Sequence, residues 1–146
     1  MALVTVAVSL TIPDNAAFTA RQTLVRMGLA LAEVRRADIW TFDVADDRAS
    51  ALVSAITTME TIFNPNKHKL DERSGAEPEV GEVWIAPREE VSTSAIGGRS
   101  LPGVRSVVRR TAWRLLDARG HDVEAATLDR AVETFLCNPA FQKAIR

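Results

Sequence analysis

Apolar and polar residues alternate from Val4 to Leu10, where Val4, Val6, Val8 and Leu10 are separated by Thr5, Ala7 and Ser9. A period of two belongs to a strand buried on one face, so this stretch predicts a first strand. Pro13 and Asp14 mark a turn, and the Asp14 carboxylate can accept from the free amides of a helix beginning behind it. From there to Met27 the period lengthens: Ala17, Ala20, Leu24 and Met27, with Phe18 and Val25 beside them, form the apolar face of a helix that Gly28 ends. A second extended region follows, with Trp40, Phe42 and Val44 on one face, and the polar Arg35 to Asp38 reads as the turn of a hairpin joining two strands. Asp46 or Asp47 caps the next helix, whose Leu52, Ala55, Ile56, Met59, Ile62 and Phe63 fit the helical period. Asn64-Pro65 stops it, because proline disfavours helical geometry in the residue before it.

The polar stretch Asn66 to Glu79 has no period and reads as a loop, and Glu82 to Pro87 as a strand. The order strand, helix, strand, strand, helix, strand predicts an α+β fold, a ferredoxin-like βαββαβ antiparallel sheet with two helices on one face, over residues 1–90. Residues 91–146 are then a linker and a helical extension. Val91 to Leu101 is rich in Ser and Gly. Behind it the stripe Val104, Val107, Val108, Thr111, Leu115 predicts a helix from Pro102 to about Gly120. Asp122 caps another, carrying Leu128, Ala131, Val132, Phe135 and Leu136, and Asn138-Pro139 closes it before a last turn with Phe141 and Ile145. The extension is thus expected to be a helical hairpin that packs on the first domain or on another subunit.

Two short matches suggest an internal echo. Arg21-Gln-Thr-Leu-Val-Arg-Met resembles Arg109-Arg-Thr-Ala-Trp-Arg-Leu, and Glu60-Thr-Ile-Phe-Asn-Pro resembles Glu133-Thr-Phe-Leu-Cys-Asn-Pro. A degenerate second repeat would explain them, as would convergent amphipathic patterning.

Composition narrows the function classes. A net charge of -1 over 146 residues gives no global attraction to nucleic acid or membrane. The single cysteine excludes an internal disulfide framework. The opening MALVTVAVSLTIPD lacks the basic start and apolar run of a signal peptide, and no run reaches the roughly 18 apolar residues of a membrane span, so a soluble cytoplasmic protein is expected. His68 and His121 are far apart and without ligand spacing, so neither a metal nor another cofactor is indicated. Cys137 stands at a helix end, where no dipole activates a thiol, and no nucleophile is set beside a base; the chain does not read as an enzyme of its own.

Charge is unevenly placed. Arg99 to Arg119 holds six arginines and one acid, whereas Asp71 to Glu90 holds seven acids and two bases. Gly97, Gly98 and Arg99 ahead of the expected helix, with Arg105 and Arg109 one turn apart, form a candidate anion site. A flexible linker and a solvated or internally neutralised face are the plainer readings, and nucleic acid is disfavoured as a partner. Trp40, Trp84 and Trp113 would mark interfaces if exposed and core if buried.

The alternating first strand, Asp14 in the turn, Leu24 and Gly28 in and after the first helix, Val34-Arg35 opening the second strand and the closing Asn64-Pro65 resemble the PurS family, the small subunit of bacterial and archaeal phosphoribosylformylglycinamidine synthase. The resemblance covers residues 1–88. It implies a ferredoxin-like fold, assembly into homo-oligomers, and a non-catalytic role beside the synthetase and glutaminase subunits in purine biosynthesis. The family's usual Gly-Lys is here Ala37-Asp38, and NKHKLDE replaces its acidic and aromatic run after Asn-Pro. The other reading is a stand-alone ferredoxin-like module that binds a ligand or protein at its helical extension.

Overall fold

The computed structural model describes residues 1–90 and 93–146. Val91 and Ser92, the first residues of the expected linker, lie outside them. The fold is α+β. Among the described residues are strands β1 (Ala2–Leu10), β2 (Glu33–Val44), β3 (His68–Arg73), β4 (Glu82–Pro87), β5 (Ala95–Ile96), β6 (Arg99–Ser100), β7 (Val104–Leu116) and β8 (Gln142–Ile145). The α-helices are α1 (Asn15–Arg26), α2 (Ala49–Ile56) and α3 (Ala125–Ala131), the last continued by a π turn, Val132–Leu136. Six strands form one sheet in the order β3-β1-β2-β7-β4-β8, and β5 and β6 make a separate hairpin. That order differs from a simple ferredoxin-like sheet.

The chain divides into two compact units that interleave in sequence. One comprises Met1–Ile12, Asp38–Ala76 and Glu90–Arg110; the other comprises Pro13–Ala37, Glu77–Glu89 and Thr111–Arg146. In the first, β1 lies between β3 and the end of β2, with Val6 opposite Trp40 and Ala7 opposite Asp71. Val4, Val6 and Val8 enter its core with Trp40, Phe42 and Val44, as the alternation requires, and Leu52, Ile56, Met59 and Ile62 cover them. Thr5 and Ala7 are buried as well, and the Thr5 hydroxyl bonds that of Thr41 across the strand pair at 3.2 Å.

In the second unit α1 begins where Asp14 accepts from the amides of Ala16 and Ala17. It buries Ala17, Ala20 and Leu24 against Val34, Val83, Ile85 and Leu115. Strand β4 runs antiparallel to both β7 and β8, with Val83 opposite Trp113 and Trp84 opposite Ile145.

The structure departs from the sequence pattern at several elements. The first arm of the helical hairpin, Pro102 to Gly120, is the thirteen-residue strand β7. Its Val104, Val107, Val108, Thr111 and Trp113 favour extended backbone, and a central strand buried on parts of both faces shows no clean period of two. Val107, Ala112, Leu115 and Leu116 are all buried, and positions i, i+3 and i+4 among such residues imitate a helix. The turn expected at Arg35 to Asp38 does not form, because β2 continues unbroken through it. The loop Asn66 to Glu79 contains β3, the linker contains β5 and β6, and the last turn is β8. The second helix is shorter than its stripe, ending in turns after Ile56. Of the echoed pair, Arg21–Met27 lies in helix and its C-cap while Arg109–Leu115 lies in strand, so that match is not a structural repeat.

Candidate contact surface and the arginine-bearing strand

Strand β7 carries four arginines, and each meets a carboxylate. Arg105 and Arg109 share one strand face and bond Asp43 at 2.8 Å and Asp38 at 3.1 Å. Arg110 grips Glu90 with two bonds of 2.9 and 3.0 Å. Arg114 reaches Asp122 at 2.9 Å, Glu79 at 3.2 Å and the Val80 carbonyl at 3.0 Å. Two of these pairs join the basic segment to the acidic one. Such local neutralisation weakens the field that arginines would otherwise project to a phosphate backbone.

The helix expected to supply amides to an anion is absent behind Gly97 and Gly98. The two glycines instead form the turn between β5 and β6, with φ of 58° and 75°. Consecutive left-handed residues are what a two-residue hairpin turn demands. Arg99 is exposed in β6, and Arg105 and Arg109 sit farther on, tied to Asp43 and Asp38. The five candidate anion-site residues therefore do not converge on helix amides.

The tryptophans divide. Trp84 is fully buried and Trp40 is 6% exposed, so both are core; Trp84 donates its indole N–H to Glu82 at 2.7 Å. The Arg109 guanidinium lies over the Trp40 ring at 5.1 Å, a distance suited to a cation–π contact. Trp113 is half-buried beside the second core. His68 is engaged locally, its Nδ1 accepting from the Asn64 amide. Among the described residues no group of three or more His, Cys, Asp or Glu side chains could hold a metal ion, and no helix is long and apolar enough to cross a membrane.

Phe18 and Val25, expected on the apolar face of α1, lie instead on its outer side. Phe18 is 56% exposed and Val25 44%, seven positions apart on the helix. The signal was present, since both stand beside the main stripe and a helix of this size buries one face only. A groove of about 480 Å³ runs beside Phe18, lined by Pro13, Asp14, Ala17, Arg21, Glu33 and Val34. Its shape is fixed by two contacts. Asp14, while capping α1, also pairs with Arg36 at 3.1 Å, and Arg21 donates to the Ala32 carbonyl at 2.7 Å. The helix contributes no acidic side chain to this surface. The arrangement offers an exposed apolar contact area at Phe18 with Arg21, Asp14 and Glu33 beside it, and no nucleophile paired with a base.

No protein-family model matches the chain, and no curated protein sequence matches it. What the fold itself defines is the class: an α+β protein with a six-stranded antiparallel sheet.

Proposed function

We propose that this chain is a PurS-like, oligomeric, non-catalytic accessory subunit of formylglycinamidine ribonucleotide synthase, working in the cytoplasm beside the synthetase and glutaminase subunits. The observation that carries the reading is the contrast between β7 and α1. The arginines of β7 are engaged by carboxylates, whereas Phe18 and Val25 on α1 stand exposed without an acidic neighbour on the helix. Such a molecule is suited to being held by other proteins more than to handling a charged substrate.

The residues behind the family resemblance give further support. Asp14 caps α1, Leu24 is fully buried, Val34-Arg35 open β2 and Asn64-Pro65 close the turn ahead of β3. On this reading the chain is a divergent relative of the ferredoxin-like fold that the resemblance implies.

The test is reconstitution. The synthetase and glutaminase subunits of the source organism are assayed for glutamine-dependent amidation with and without the chain. Activity that requires the chain is the expected result. A pair that works fully without it, or that stays inactive when it is added while ammonia-dependent activity is intact, overturns the proposal.

A further inference from the structure

We infer that residues 1–76 and 77–146 are two copies of one module, and that each copy fills the core that the other leaves open. Each segment contributes, in the same chain order, a short strand, a long strand, a helix, an Asn-Pro turn and an edge strand. These are β1, β2, α2, Asn64-Pro65 and β3 in one, and β4, β7, α3, Asn138-Pro139 and β8 in the other. In both, the short first strand lies between the long strand and the last one.

The registers agree residue by residue. Trp40 pairs with Val6, and Trp113 with Val83, so placing Trp113 on Trp40 makes Val83 the counterpart of Val6 and Arg88 that of Thr11. Placing Asn138-Pro139 on Asn64-Pro65 makes Phe141 the counterpart of Lys67. These independent anchors bring one backbone bond into coincidence: Thr11 donates to the Lys67 carbonyl at 2.8 Å, and Arg88 donates to the Phe141 carbonyl at 2.9 Å.

The turns agree in detail that composition does not impose. Asn64 Oδ1 accepts from the Asn66 amide at 2.9 Å and Asn138 Oδ1 from Ala140 at 3.1 Å. The Asn64 amide is received by the His68 ring at 2.9 Å, and the Asn138 amide by the Gln142 side chain at 2.9 Å. Different side chains thus make the same bond. From Glu133-Thr134 to Asn138 there is one residue more than from Glu60-Thr61 to Asn64, and the helix absorbs it as the π turn Val132–Leu136. Leu136 and Ile62 are both buried at matching distances from the prolines, which leaves the exposed Phe135 as the extra residue.

The copies complete each other. Unit one takes Glu90–Arg110 from the second copy, and its core includes Ile96, Leu101 and Val107. Unit two takes Pro13–Ala37 from the first copy, and its core includes Leu24 and Val34. Neither core is filled by one copy, so the partner surface is the exchanged middle segment. The copies have diverged there, the first placing α1 between its short and long strands and the second the β5–β6 hairpin.

Two experiments on the full chain test this. A protease site is inserted after Gly75, an exposed position, and the folded protein is cleaved. Both pieces should run as one species at the intact mass and melt in one transition whose midpoint rises with concentration. Pieces that separate, each keeping its own melting transition, overturn the exchange. Deletion of Phe135 should leave cooperative melting with a midpoint within a few degrees of the parent, while deletion of the buried Leu128 abolishes it. If both deletions abolish cooperative melting, the π turn is not an inserted residue and the duplication fails.

Discussion

Helix α1 has one face in a core and one in solvent, so two truncations on it should separate packing from contact. Leu24 is fully buried, against Ala20, Val34, Leu115 and their neighbours. Leu24→Ala removes its isobutyl group from a closed site and should cost about 3–4 kcal/mol, the transfer and cavity contributions together. For a chain of 146 residues an unfolding entropy of about 2.1 cal/mol/K per residue turns this into a fall in Tm of roughly 10 °C. Phe18 is 56% exposed, and Phe18→Ala should change stability by under about 0.5 kcal/mol. Urea unfolding followed by circular dichroism, with calorimetry for Tm, measures both. Equal costs, or a larger one at Phe18, would show that α1 packs by a different face and refute the contact surface assigned to it.

Three further outcomes follow from the same geometry. Asp14→Ala removes two cap bonds and the Arg36 pair and should cost about 1–2 kcal/mol in urea unfolding, with Asp14→Asn milder because the cap acceptor remains. Gly81→Ala should destabilise more than Gly98→Ala. Both have positive φ, of 84° and 75°, but only at Gly81 would the new Cβ meet a neighbour, the Asp122 carboxylate at 2.3 Å; thermal melts of the two variants isolate that clash above a backbone cost of about 1–2 kcal/mol. Trp113→Phe should shift the fluorescence emission to the blue and reduce quenching by acrylamide, since the remaining Trp40 and Trp84 are buried; Trp84→Phe should do the reverse.

Legibility in the sequence tracked how simply each element is buried. Strand β1 announces itself by alternation although Thr5 and Ala7 are also covered, because the small residues fall on one parity. Helix α1 carried its cap, stripe and stop in order. Strand β7 hid its nature because Leu115 and Leu116 are buried side by side and its arginines are spaced by four. The charged middle of β2 looked like a turn, yet Arg36 and Asp38 sit within a strand and are satisfied by Asp14 and Arg109; those partners are distant in sequence and leave no local trace. Strand β3 reads as loop because only Leu70 among its residues is apolar, and Lys69, Asp71, Glu72 and Arg73 are the kind of charges that protect a sheet edge. Of the candidate site, the apolar residues of α1 were visible as the margin of a stripe. The pairing of the β7 arginines required the sheet.

In the proposed complex with the synthetase and glutaminase subunits, α1 is the surface by which the chain is held. Sedimentation velocity of the three proteins at micromolar concentration tests it most directly, using wild type and Phe18→Asp, a variant whose melting should match the parent. A ternary species is expected with wild type, and free components with the variant. Wild type sedimenting alone, or the variant assembling as well as wild type, would contradict it.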